Sequence, residues 1–70
     1  MTFYEWIMQY KGRDTPRGDL ADDIARDKSF PVTDDYETIL EHIELHAKIR
    51  SVVPTFKRAW ASYQKSQSQQ

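Results

Sequence analysis

The chain has 70 residues, no cysteine, two glycines, and ten basic against eleven acidic side chains. That length leaves room for one small core, and the lack of cysteine excludes a disulfide framework, a thiolate zinc site and a cysteine nucleophile. No apolar run approaches the length of a membrane span or of a signal-peptide core, so the expectation is a single cytoplasmic domain with no membrane contact.

At this size apolar burial and chain entropy nearly cancel, at about 110 and about 105 kcal/mol, so stability rests on the largest side chains. Nine aromatics are available, and all are expected in the core: Phe3, Tyr4, Trp6, Tyr10, Phe30, Tyr36, Phe56, Trp60 and Tyr63. Thr2 and Glu5 stand three apart in a capping-box pattern, in which hydroxyl and carboxylate each satisfy a free amide at a helix start. Phe3, Trp6, Ile7 and Tyr10 then recur at the spacing of one helical face, and Lys11-Gly12 supplies the stop. Tyr4 and Met8, four apart, widen that apolar face beyond what a core stripe needs.

A polar turn, Arg13 to Arg17, leads to Thr15 as a cap and Pro16 at the first helical position, where its missing N–H costs nothing. The second helix buries Leu20, Ala21, Ile24 and Ala25, and Asp19, Asp22 and Asp23 sit where negative charge suits the helix dipole. Phe30-Pro31 breaks the chain, and Asp34 with Glu37 repeats the capping pattern ahead of a third helix. Its buried face is Tyr36, Ile39, Leu40, Ile43 and Ala47, and it ends between Leu45 and Lys48. Ser51 is a candidate cap for the last helix, which has Pro54 in its first turn and Phe56, Ala59, Trp60 and Tyr63 on its inner face. From Gln64 onward there is nothing to bury. The expected fold is therefore all-α, a compact bundle of four to five short helices over residues 1–63 with a disordered tail at 64–70.

Little in the chain suggests catalysis. Gly12 and Gly18 are isolated and form no phosphate loop, and the serines stand in no recognisable motif with a histidine and an acid. The pairs Asp22-Asp23 and Asp34-Asp35 read as helix-start charge rather than as a general acid and base, which need a cleft to separate their pKa values. His42 and His46, four apart, have a spacing that can hold a divalent metal. A zinc-protease helix would carry Glu directly after the first histidine, where Ile43 stands, and no third ligand is signalled. Both are read as flanking the core or facing solvent, and no metal, cofactor or enzymatic activity is expected.

Charge is unevenly distributed. Residues 1–45 hold all eleven acids and five bases, a net −6, whereas residues 46–70 hold Lys48, Arg50, Lys57, Arg58 and Lys65 and no acid, a net +5. On the last helix Arg58 and Lys65 are seven apart, opposite Trp60 and Tyr63, with Lys57 beside them, a strip suited to phosphate backbones. The plainer account is that acidic and basic parts complement each other within the molecule.

Taken in order, Phe3-Tyr4-Glu5-Trp6-Ile7, Leu20-Ala21 with Ile24, Ser29-Phe30-Pro31, Asp34-Asp35 to Ile39, and Phe56 to Trp60 to Tyr63 resemble the small YozE-type proteins of Gram-positive bacteria and their phages, described as SAM-like (sterile alpha motif-like). The chain departs from them at His42-Ile43, where the family often has Tyr-Leu. The resemblance implies a compact helical bundle with the aromatics as its core, and no activity or site residue. The leading expectation is a non-enzymatic module that binds another protein through Tyr4 and Met8. The alternative is a nucleic-acid-binding accessory protein using Lys48, Arg50, Lys57, Arg58 and Lys65. In either case the domain is expected to be a monomer or to self-associate weakly, acidic front to basic rear.

Overall fold

Helix α1 (Phe3–Ile7) starts on the expected capping box: the Glu5 amide donates to the Thr2 hydroxyl at 3.2 Å, and the Thr2 amide donates to the Glu5 carboxylate at 2.9 Å. The computed structural model describes residues 1–46 and 52–68. After Ile7 the chain tightens into a 3-10 turn, Met8–Tyr10. Gly12 then reverses the path with φ +84°, a region glycine enters without the Cβ clash that other residues meet, and its amide donates to Asp22 at 2.9 Å.

Helix α2 (Pro16–Arg26) has Thr15 as its cap, the hydroxyl accepting from the Gly18 amide at 3.0 Å. Gly18 is required by contact: a Cβ there would lie 2.1 Å from the Arg13 carbonyl oxygen, so the incoming loop rests directly on the first turn of α2. Helix α3 (Tyr36–His46) starts later than the capping pattern suggests. Asp35, not Asp34, precedes its first residue and accepts from the Ile39 amide and the Thr38 hydroxyl. Asp34 is taken up by a tertiary tie instead. One carboxylate oxygen accepts from the Phe3 amide at 2.8 Å, and the other lies 2.8 Å from the Tyr63 hydroxyl.

Helix α4 (Val52–Ser68) packs against α1, α2 and α3 and is the centre of the bundle. It runs five residues beyond Tyr63, so residues 64–68 are helical where a disordered tail is expected from composition. The reason is propagation: a helix nucleated by Phe56, Trp60 and Tyr63 gains a hydrogen bond for each residue added, and Gln and Lys are good helix formers. The expected Ser51 cap and the Ala47 continuation of α3 lie outside the described residues; of the separate fifth turn that Ile49 to Val53 would make, Val52 and Val53 instead open α4, and the rest lies outside the described residues.

The core collects Phe3, Trp6, Ile7, Leu20, Ala21, Ile24, Phe30, Ile39, Ile43, Phe56, Ala59, Trp60 and Tyr63. Phe3 is its hub, with ring centroids of Phe56, Trp60, Tyr63 and Trp6 at 5.4 to 5.8 Å. Six of the nine aromatics are buried; Tyr4, Tyr10 and Tyr36 are only half-buried and pack against the core from outside. The all-helical architecture with four helices among the described residues agrees with the pattern of apolar spacing.

Candidate functional site

The apolar edge of α1 is partly drawn into the fold. Tyr4 and Met8 are both half-buried against the core, and the Tyr4 ring lies 6.2 Å from that of Phe30. Among the described residues, the large apolar side chains most open to solvent are others: Met1, Val32 and Leu45.

The cations of α4 behave differently. Lys57, Arg58 and Lys65 are all exposed, while Lys48 and Arg50 lie outside the described residues. The only ion pairs among the described residues are Arg26 with Asp23 at 2.8 Å and His42 with Asp27 at 2.6 Å. The acidic part of the chain therefore does not neutralise the cations of α4 by direct pairing.

A groove of about 360 Å³ runs between the start of α2 and α4, and it joins this strip to the polar turn that leads into α2. Arg13 and Arg17 from the approach to α2, and Arg58 from α4, line it together with Tyr10. Arg17 is half-buried; its guanidinium lies 4.9 Å from the Tyr10 ring centroid and 5.3 Å from that of Trp6, and donates to the Ser62 hydroxyl at 2.9 Å. The Arg13 guanidinium lies 5.1 Å from the Tyr10 ring. Such placement over aromatic faces holds a planar cation while leaving its edge donors free. A partial signal was available in sequence, since two arginines four apart follow an aromatic helix end and flank Thr15-Pro16. Their meeting with Arg58, more than forty positions away, was not.

A second hollow, of about 490 Å³, lies beside His42 and His46. The His42 Nε2 atom is 2.6 Å from an Asp27 carboxylate oxygen, and the His46 Nδ1–H donates to the His42 carbonyl at 2.9 Å. The two imidazoles are stacked with centroids 4.2 Å apart, and Phe30 meets His42 edge-on. Each ring thus has a protein partner, and among the described residues no three His, Asp or Glu side chains are grouped as metal ligands. The bonds from His42 and then Ser29 hold the Asp27 carboxyl down at about 2. Of the acidic pairs, Asp22 holds the Gly12 turn and Asp34 ties α1 to α4, so both act at long range rather than as helix-start charge.

A family model described as YozE SAM-like fold matches residues 2–65. The chain is similar to a UPF0346 protein of Staphylococcus epidermidis, 33% identical over 63 residues that cover 89% of this chain and 85% of the relative. It is similar also to a UPF0346 protein of Staphylococcus aureus, 30% identical over 63 residues that cover 89% and 86%. No solved structure gives a significant match.

Proposed function

The chain belongs to the YozE SAM-like family, which specifies a helical fold and no activity, and we propose that it is a non-enzymatic cytoplasmic binding module whose partner is nucleic acid, met by the basic face of α4. The observation that carries this reading is the state of Lys57, Arg58 and Lys65, exposed and without a carboxylate partner among the described residues. Unneutralised cations on a rigid helix are what displaces counterions from a phosphate backbone. No described helix is long and apolar enough to cross a membrane.

The test is fluorescence polarisation with labelled single-stranded and duplex DNA at low ionic strength. Binding is expected, falling steeply with salt, and Lys57→Glu combined with Lys65→Glu is expected to weaken it about tenfold or more at an unchanged melting temperature. No binding by the wild type at low salt overturns the reading.

The competing reading, a protein partner on the first turns of the chain, keeps one observation in its favour: Tyr4 of α1 and Met8 of the following 3-10 turn stay half-exposed, whereas Phe3, Trp6 and Ile7 of α1 are buried. Met8→Glu separates the two, since it should abolish a protein complex while leaving DNA binding intact.

A further inference from the structure

We infer that a backbone phosphate of the bound nucleic acid sits in the groove between the start of α2 and α4, held by Arg13, Arg17 and Arg58. This rests on the reading above and adds a seat that the α4 strip alone does not contain. Three arginines from two distant stretches of chain line one groove, and none has a carboxylate partner among the described residues. The acids nearest in sequence, Asp14 and Asp19, are exposed and do not line it. Like charges brought together without a counter-charge leave a local field that an anion relieves.

Arg17 is the preset member. Its packing over Trp6 and Tyr10 and its bond to Ser62 fix the guanidinium before any ligand arrives, so less freedom is lost on binding. The single bond to a hydroxyl leaves most of its five N–H donors for phosphate oxygens, in the fork geometry that suits them. A planar guanidinium presents two parallel N–H donors to two phosphate oxygens, a preset fork that a lysine ammonium does not offer.

A polymer is favoured over a lone phosphate by continuity. Arg58 lines the groove and also belongs to the α4 strip, which reaches Lys65 about 10 Å further along the helix at 1.5 Å per residue. One phosphate group cannot span that distance, whereas successive groups of a strand can. The groove therefore anchors the strand and the strip guides it.

The experiment compares wild type, Arg13→Ala with Arg58→Ala, Arg17→Lys, and the control Lys28→Ala, an exposed cation outside groove and strip. The probe is a labelled DNA oligonucleotide titrated across salt, and near-ultraviolet circular dichroism monitors the fold. The double variant is expected to lose about tenfold or more in affinity and about two units of log–log salt slope. Arg17→Lys keeps the charge, so it should lose affinity several-fold with little change of slope, and Lys28→Ala should match wild type. Full affinity in the double variant overturns the phosphate seat and takes Arg58 out of the strip, leaving the α4 reading to Lys57 and Lys65; no binding by wild type overturns both. Saturable binding of inorganic phosphate without binding of the oligonucleotide overturns the polymer.

Discussion

Asp34 and Tyr63 show how one side chain outside the helices can hold three parts of the chain. The carboxylate accepts from the first amide of α1 and lies against the Tyr63 hydroxyl, which is also 2.6 Å from the Met1 carbonyl. Burial first, and the Asp34 carboxylate second, push the Tyr63 phenol up to about 12 from an ordinary 10. A raised folded-state value means that the neutral phenol is favoured by folding. The contribution is therefore complete below pH 10 and is lost as pH rises towards 12. Thermal melts between pH 9 and 12 should show Tyr63→Phe less stable than wild type by about 1 kcal/mol at pH 9, with the gap closing as pH rises. A constant gap across that range would remove this account. Asp34 could not be assigned this role from its neighbours, because the sequence places it at a capping spacing from Glu37 and both groups it binds are some thirty residues away.

At the scale of elements, the helix starts that depend on adjacent residues are where the spacing puts them. Thr2 with Glu5 and Thr15 with Pro16 act within a single turn, so their chemistry is legible locally. The end of α4 is not legible in this way, since its outer turns contain no apolar residue and depend on a nucleus further back. Gly18 is the other element-scale device. Its missing Cβ lets the Arg13 backbone rest on α2, and that same approach brings Arg13 to the groove. Gly18→Ala gains helix propensity of about 1 kcal/mol but sets a methyl group against a backbone carbonyl, an overpacking cost of about 1–3 kcal/mol. Denaturant unfolding should find the variant destabilised, and its DNA affinity should fall with that of Arg13→Ala; a more stable variant would show that the loop yields freely.

For the molecule as a whole, α4 packs on every other helix, while α3 meets the end of α2 through the Asp27–His42 pair and Asp34, just before α3, ties α1 to α4. The consequence is one face of α4 given to the core and one left to solvent with its cations. If strand binding uses Lys57, Lys65 and the three groove arginines, about five phosphate contacts imply a log–log salt slope of about −4.5 on duplex and about −3.5 on single strands. A slope near zero with retained affinity would assign the binding to other chemistry. The net charge near neutrality hides this, because it averages an acidic front and a basic rear.

Sequence alone determined the helical class, the starts of α1 and α2, the inner face of α4 and the separation of charge, since each rests on spacing within a few turns or on counting. It also marked Lys57, Arg58 and Lys65 as one strip. Only the tertiary structure decided that Tyr4 and Met8 are half taken up by the core, that Asp34 closes the bundle rather than capping α3, and that Arg13 and Arg17 meet Arg58. Those outcomes depend on which distant helix faces come together, and that is set by packing around Phe3 and α4, where no local pattern of residues carries the information.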